Sequence, residues 1–198
     1  MFALLVCNES RIHLRALAIG DSPLETVKAD YMKDHRKLQQ KLLTKWPSIP
    51  IEVEPLAANR VLAALQMLGS IKPALREGHM MKAGPIKTDQ DNFIVDAPFK
   101  TLISSSDIMK AKEEGRAIAG NGQEGLWEVM SLALAIKALE GVLSVGLFAG
   151  VNGLQAAATG NGIGGQKPVS AYFGMADGSV VVRVADANGN VNQQTDRS

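Results

Sequence analysis

Cysteine is almost absent from this chain, which has one, Cys7, among 198 residues. A lone thiol cannot close an internal disulfide, so a disulfide framework is excluded and a reducing compartment, the cytoplasm, is expected. Histidine is also scarce, and His13, His35 and His79 have no second histidine or cysteine at the spacing of a zinc site. The composition therefore predicts neither a disulfide scaffold nor a metal site.

Net charge and long apolar runs are lacking as well. The formal net charge is +1, which gives no electrostatic reason to expect nucleic acid or an anionic membrane as a partner. The apolar opening Met1–Cys7 has no basic flank, unlike a secretory signal, and no later run approaches the roughly 20 apolar residues of a membrane span. We therefore expect a soluble cytoplasmic protein with neither nucleic acid nor membrane as a partner.

The middle of the chain alternates between strand and helix patterns. Five segments carry them, in this order: a strand at Ile49–Val53, a helix at Asn59–Leu68, a hairpin at Ile86–Val95 around Asp89–Asn92, a helix at Leu126–Glu140 and a strand at Val142–Phe148. Pro50 predicts an edge strand or a strand start, Asn59 a helix cap, and Gly69 and Gly141 helix ends. The apolar last segment is predicted to be a central strand. This order predicts a small antiparallel sheet with both helices packed on one face.

Two motifs could bind a cofactor or a metal. Gly160–Gly165 has the letters of the dinucleotide fingerprint G-x-G-x-x-G, but Gln166-Lys167-Pro168 and a strand come after it, where that motif needs a helix. A flexible linker is the favoured interpretation. Asp30 and Asp34 would lie one helical turn apart if that stretch were helical and could hold a metal with His35. Charge runs of this kind are more often solvated faces.

Three further side chains could act on or bind a substrate. Glu52 and Glu54 alternate with apolar residues on a predicted strand, so both are expected to face solvent, although an acid–base pair is an alternative. Lys33 follows a segment that could end a strand, and ligands of open α/β sheets bind beyond the carboxyl ends of strands. From the residues alone, a solvated lysine is the commoner outcome.

Five strings, in this order, resemble the type A family of ribose-5-phosphate isomerases in its eukaryotic, fungal form. They are Ala29-Asp30-Tyr31-Met32-Lys33-Asp34 (family A-D-x-x-K), Ile49-Pro50-Ile51-Glu52-Val53-Glu54-Pro55 (I-P-I-E-V-x-P), Gly84-Pro85 with Thr88-Asp89 and Asn92-Phe93-Ile94-Val95-Asp96, Gly141-Val142 with Val145-Gly146-Leu147-Phe148, and Tyr172-Phe173-Gly174-Met175 with Asp177-Gly178-Ser179-Val180. The resemblance covers Ala29–Arg183 and is interrupted by two apparent insertions, residues 104–125 and 151–168. The first is expected to lie on the surface with one short helix.

The resemblance implies an α/β and α+β fold, in which a remnant of a Rossmann-like parallel sheet accompanies the small α+β domain. The implied large domain takes residues 1–48, of which 1–28 match nothing in the family, and the strands at 169–185 that return to it. Within them Asp177-Gly178 predicts a tight hairpin turn. The small domain takes residues 49–150. Composition predicts a flexible insertion at 151–168 and a disordered tail at 186–198.

The function implied by the resemblance is the interconversion of D-ribose 5-phosphate and D-ribulose 5-phosphate in the pentose phosphate pathway, without a metal or an organic cofactor. In that family a carboxylate moves a proton between C1 and C2 through an enediolate, while a lysine and backbone donors stabilise the oxyanion. Lys33 corresponds to the lysine of A-D-x-x-K and is the implied substrate-binding residue for the sugar phosphate. A homo-oligomer, a homodimer in particular, is implied as well.

The chain departs from the family at its catalytic motifs. The strings G-T-G-S-T, D-G-A-D-E and K-G-G-G and the acid–base glutamate are not found, so no catalytic residue is assigned and turnover by residues 1–198 is expected to be undetectable. A shortened gene model or a real degenerate copy would each give this pattern. A non-catalytic metabolite-binding or oligomerisation module is the alternative function. Gln90-Asp91 replaces the usual Asn-Gly, so either Asp91 has a positive φ or the turn changes type.

Overall fold

The computed structural model describes residues 4–5, 15–17, 28–34, 41–44, 48–78, 84–158, 167–185 and 191–196. The strands are β1 (Leu4–Leu5), β2 (Arg15–Leu17), β3 (Lys28–Asp34), β4 (Ser48–Val53), β5 (Ala74–Leu75), β6 (Phe93–Pro98), β7 (Val142–Val145), β8 (Leu147–Phe148), β9 (Ser170–Gly174), β10 (Val180–Ala185) and β11 (Val191–Asp196). The helices are α1 (Ala58–Met67), α2 (Ser105–Glu113), α3 (Val129–Lys137) and α4 (Gly153–Ala158), with 3₁₀ turns at Pro55–Ala57 and Gln123–Gly125.

The chain divides into two compact units. The first, called here the α+β unit, contains Lys41–Leu147, and the second, called here the sheet unit, draws on Asn8–Gln40 and Phe148–Ser198. Residues 41–44 thus belong to the α+β unit rather than to the predicted large domain, and this unit ends at 147 rather than 150. The sheet unit is assembled from stretches of chain on both sides of Lys41–Leu147 in sequence.

A four-stranded antiparallel sheet in the order β5-β6-β4-β7 forms the base of the α+β unit. Its inner face carries Ile49, Ile51 and Val53 of β4, all fully buried, and Val95 is the partner of Ile51 on β6. The outer face carries Glu52, so the strand alternates as its sequence predicts. The prediction of a small antiparallel sheet is confirmed.

The positions of two strands in this sheet differ from the prediction. β4 is an interior strand although it contains Pro50, and β7 is at the edge rather than at the centre. The carbonyl of Pro50 accepts a hydrogen bond from the Gly146 N–H at 2.8 Å, where β7 has just ended. The N–H and C=O of one residue in an antiparallel strand point to the same side, so the missing N–H of Pro50 removes no hydrogen bond from the ladder with β6. A Cβ on Gly146 would lie 2.6 Å from Pro50 Cγ, which explains the glycine.

Helices α1 and α3 cover the inner face and confirm the predicted α+β layer. Val61 and Leu65 of α1 and Leu132 and Ile136 of α3 are almost fully buried. The indole N–H of Trp127 donates to the Leu68 carbonyl at 2.9 Å and joins the start of one helix to the end of the other. The apolar periodicity of these segments therefore predicts the correct buried faces.

The ends of both helices differ from the prediction. Asn59 lies inside α1, which begins at Ala58 after the 3₁₀ turn and has no side-chain cap, while Gly69 ends it with φ +92° as predicted. Helix α3 spans nine residues and not the predicted Leu126–Glu140. It begins late because the Glu128 carboxylate accepts hydrogen bonds from the N–H groups of Met130 and Ser131.

The predicted surface insertion at 104–125 contains one short helix, as expected, but it is partly buried. Helix α2 starts with a capping box in which Ser104 and Asp107 satisfy each other's backbone N–H groups. Ala111 on this helix is 2% exposed. The Ser105 hydroxyl donates to Glu128 at 3.0 Å, so the Glu128 carboxylate connects the first turns of α2 and α3.

The sheet unit contains a five-stranded sheet in the order β11-β10-β9-β3-β2. Strands β3 and β9 are parallel, and every other pair in this sheet is antiparallel. The predicted hairpin joins β9 to β10 through Asp177-Gly178, where Gly178 has φ +85° and the Met175 N–H donates to the Ser179 carbonyl at 2.8 Å. Together the two units give the predicted α/β and α+β fold class.

Two segments expected to lack regular structure contain regular elements. Strand β11 pairs with all of β10 in place of the predicted disordered tail, and Val191 packs against the buried residues of the sheet. Helix α4 lies in the predicted flexible insertion, where Asn152 and Gln155 accept each other's backbone N–H groups at 2.8 and 3.1 Å. Strand pairing in β11, and the reciprocal caps at the start of α4, outweigh a composition rich in polar or small residues.

Candidate functional site

Lys33 lies one residue before the carboxyl end of β3. It is the Cα partner of Phe173 in the parallel pair, and Asp34 is the partner of Gly174, so β3 and β9 end at the same level. This is the predicted place for the lysine, at the carboxyl end of a strand beside a parallel neighbour. Its role as a substrate-binding residue stays a prediction.

The hypothesis of a metal at Asp30, Asp34 and His35 loses its geometric basis. Asp30 and Asp34 both belong to β3, so they are about 13 Å apart along the strand rather than one helical turn apart. His35 lies outside the described residues, as do Cys7, His13 and His79. Within the described ranges no three His, Cys, Asp or Glu side chains cluster as metal ligands.

The other sequence motif, Gly160–Gly165, also lies outside the described residues. The chain is described again from Lys167, which forms an isolated bridge with Asn152, and β9 starts at Ser170. No helix begins at residues 167–170. Of the helices that the structure describes, none is long and apolar enough to cross a membrane.

Glu52 is part of a hydrogen-bonded cluster on the outer face of the α+β sheet. Its Oε1 accepts bonds from the Thr88 hydroxyl at 2.8 Å and from the Asn92 side-chain amide at 3.1 Å. Glu52 is on the outer face as expected, but it is only partly exposed and has side-chain partners there, whereas Glu54 is exposed as expected. The two carboxylates have different surroundings, and Glu52 serves to hold the loop at 88–92 against β4.

In the turn at 88–92, the alternative that applies is a positive φ at Asp91. Its φ is +64°, and its N–H donates to the Thr88 carbonyl at 2.9 Å. The Thr88 N–H donates to the Asn92 carbonyl at 2.9 Å and closes the turn. Lys87 and Phe93 form an isolated bridge, so the first arm of the predicted hairpin is held by this pair and not by a continuous strand.

Sequence reasoning missed a bidentate ion pair on the same outer face. Arg76 donates from Nε to Asp96 Oδ2 at 2.8 Å and from Nη2 to Asp96 Oδ1 at 2.6 Å. The Arg76 side chain is 10% exposed and that of Asp96 is 31% exposed. Asp96 ends one of the quoted strings, but Arg76 stands in no motif, and no sequence signal connects residues 20 positions apart.

Lys167 is a buried lysine that the sequence did not single out. It is 9% exposed, its backbone N–H donates to the Val151 carbonyl at 3.1 Å, and neighbouring Pro168 is fully buried. Within the described part of the chain, no acceptor lies within hydrogen-bond distance of its ammonium group. Burial therefore lowers the pKa of Lys167 from its ordinary value.

We expect Lys167→Met to raise the free energy of unfolding at neutral pH by about 1 kcal/mol, since it removes a buried ammonium group that has no acceptor among the described residues. Because the folded pKa is below the unfolded one, the wild-type chain loses stability as pH falls from the ordinary lysine pKa to the lowered one. The advantage of the methionine variant should therefore shrink at alkaline pH. Urea unfolding of both chains from pH 7 upward measures this difference. An advantage that stays constant across that range would contradict the prediction.

The elements described so far define a protein of mixed α/β and α+β class, in which a parallel strand pair ends beside a lysine. The sequence profile of the family described as ribose 5-phosphate isomerase A (phosphoriboisomerase A) matches residues 28–162. The chain belongs to the ribose 5-phosphate isomerase A family. The resemblance carried by the five strings is thereby confirmed.

Three relatives show how much of a family member the chain represents. A ribose-5-phosphate isomerase of Mycosarcoma maydis is 34% identical over 176 residues, which is 87% of this chain and 46% of the relative. One of Cryptococcus neoformans is 36% identical over 169 residues, 81% of this chain and 42% of the relative. A solved D-ribose-5-phosphate isomerase in complex with phospho-erythronic acid has a similar fold, with a TM-score of 0.50 and 21% identity over 85% of this chain and 50% of that one. The chain spans about half the length of the curated relatives it matches.

Proposed function

We propose that this chain takes part in the interconversion of D-ribose 5-phosphate and D-ribulose 5-phosphate, and that it binds the sugar phosphate through Lys33. Family membership supports the reaction class. The observation that carries the residue assignment is the register of β3 and β9, which puts Lys33 at the shared carboxyl end of two parallel strands. That edge of an open sheet is where ligands bind.

Lysine suits this role because its ammonium group offers three donors and a full positive charge on a flexible stem. It can hold the phosphate or stabilise the oxyanion that develops when a proton moves between C1 and C2. Hydrogen bonds to charged groups contribute roughly 1.5–3 kcal/mol, which corresponds to a tenfold to hundredfold change in affinity.

We expect Lys33→Ala to raise the Kd for D-ribose 5-phosphate by about tenfold to hundredfold, on the grounds that one charged donor is lost. Isothermal titration of the purified chain measures the Kd. Lys28→Ala is the matched control, because Lys28 stands at the opposite end of the same strand, where its partner is Leu17. Equal affinity in the wild-type chain and Lys33→Ala would contradict the assignment.

Turnover is measured with the same variants by following ribulose 5-phosphate formation, with protein made in a host that lacks its own isomerase. The sequence contains none of the family's catalytic strings, so we propose that the chain on its own binds the sugar phosphate without detectable turnover. Turnover that disappears in Lys33→Ala would instead show that the chain assembles a working site.

We propose further that the chain works in the cytoplasm and associates with itself as a homodimer. Support for self-association comes from large apolar side chains that stay exposed on the α+β unit, with Leu56 97% and Met67 89% exposed. Large exposed apolar side chains are the kind of group that an interface between copies can bury. Sedimentation velocity over a range of protein concentrations tests for a dimer.

A further inference from the structure

Within the residues that the structure describes, the carboxyl half of β3 pairs with a single strand. Strand β2 pairs with Lys28, Ala29 and Asp30 only. From Tyr31 to Asp34, the one strand that pairs with β3 in the described part of the chain is β9. Among the described residues, Lys33 is therefore paired through β9, where its Cα partner is Phe173.

Phe173 is also held by β10, the strand that flanks β9 on the side opposite β3. Its side chain is 3% exposed and packs in a cluster with Ala171 and Val181, against which Met175 and Val191 pack. Because side chains alternate along a strand, a slip of β9 by one residue would take Phe173 out of this cluster and put Tyr172 or Gly174 in its place. Burial of one large aromatic side chain thus specifies one register.

Arg183 holds the Phe173 ring from β10. Its Cζ lies 5.8 Å from the ring centroid, within the distance of a cation–π contact. Its Nε donates to Gln193 Oε1 on β11 at 3.0 Å. One side chain therefore joins three consecutive strands, β9, β10 and β11, at the level of Phe173.

We propose that Phe173 is a positioning residue for Lys33, acting through the β3–β9 pairing, and that Arg183 fixes the Phe173 ring in the required place. This inference rests on the proposed function for its link to the sugar phosphate. The arrangement of the strands stands independently of it. A lysine that must meet a phosphate or an oxyanion needs its backbone held within a fraction of an ångström, and a buried aromatic on the adjacent strand supplies that constraint.

The first test is amide hydrogen exchange of the full chain in Phe173→Leu and Arg183→Met. We expect exchange in the carboxyl half of β3 to become about tenfold faster in either variant, because a desolvated aromatic or cation–π contact is lost. β6 of the α+β unit serves as the internal reference and should not change. Val184→Ala is the matched control, since Val184 is next to Arg183, is 38% exposed and alternates to the other face. Unchanged exchange in β3, or an equal increase in β6, would overturn the proposal.

The second test separates positioning from general structural support. In the proposed arrangement Phe173→Leu acts only through Lys33, so the Kd for D-ribose 5-phosphate should rise in Phe173→Leu but rise no further when Phe173→Leu is added to Lys33→Ala. Additive losses would overturn the positioning role. Absence of any sugar phosphate binding by the wild-type chain would refute the proposed function and with it the role at Lys33. The exchange experiment needs no ligand and separately decides whether Phe173 and Arg183 hold β3.

Discussion

Replacing Gly141 with alanine should lower the free energy of unfolding by about 3 kcal/mol, the sum of backbone strain and overpacking. Gly141 has φ +92°, a conformation that side chains with a Cβ rarely adopt. A Cβ built there would also lie 2.2 Å from the Cβ of Ala57, at the start of α1. Both contributions act in the turn that leads into β7. Urea or thermal unfolding of the variant measures the loss.

A matched glycine separates the two contributions. Gly69 has the same φ of +92°, but a Cβ there would meet nothing within 4 Å. Gly69→Ala should therefore cost only the strain, about 1–2 kcal/mol. In the Gly141→Ala background, Ala57→Gly should recover the part due to overpacking. Equal losses in Gly69→Ala and Gly141→Ala would show that the close approach to Ala57 has no energetic effect.

Arg76→Ala should lower the free energy of unfolding of the α+β unit by about 3 kcal/mol, near the lower limit for breaking a buried ion pair. The substitution removes two charge-assisted hydrogen bonds and leaves the Asp96 carboxylate without its bidentate partner. Partial exposure of Asp96 lets water compensate some of the loss. Arg76→Lys should recover little, because an ammonium group cannot reproduce the planar two-point contact. Chemical unfolding measures each variant.

The exposed pair between Arg60 and Glu140 is the control for this prediction. Its atoms are 3.1 Å apart, but the two side chains are 61% and 83% exposed. Surface pairs of this kind contribute about 0–1 kcal/mol, so Arg60→Ala should have almost no effect. A double-mutant cycle with Asp96→Ala isolates the interaction energy of the buried pair. A coupling energy near zero would mean that Arg76 stabilises the unit through its other contacts alone.

The sequence predicts best those elements whose residues interact locally or repeat with a clear period. The alternation in β4 and the helical period in α1 and α3 identify the buried faces correctly. Helix limits are predicted less well because side chains decide them. Glu128 delays the start of α3 by accepting two backbone N–H groups, an interaction that periodicity does not reveal. Pro50 shows the same limitation for a strand, since its tolerance depends on where β7 ends.

For the candidate site, too, local features can be predicted from the sequence and long-range contacts cannot. The strand that holds Lys33 is indicated by the sequence, and its parallel pairing is consistent with the family resemblance. The partners of Glu52 lie 36 and 40 residues away in the sequence, and Asp96, the partner of Arg76, lies 20 residues away. The burial of Lys167 depends on pairing with residues near 151. Contacts over such separations depend on the tertiary fold, and single-sequence patterns contain no signal for them.

The parallel pairing of β3 with β9 has a consequence for the order of events during synthesis. The two strands are separated by about 140 residues, and the α+β unit lies between them in the chain. At 5–20 residues per second, a ribosome takes about 7–30 s to make β9 after β3 has been made. The α+β unit, made of contiguous chain, can fold within that interval. The edge of β3 that pairs with β9 lacks that partner through all of it, and a holdase chaperone that shields this edge would protect the chain from aggregation in the meantime.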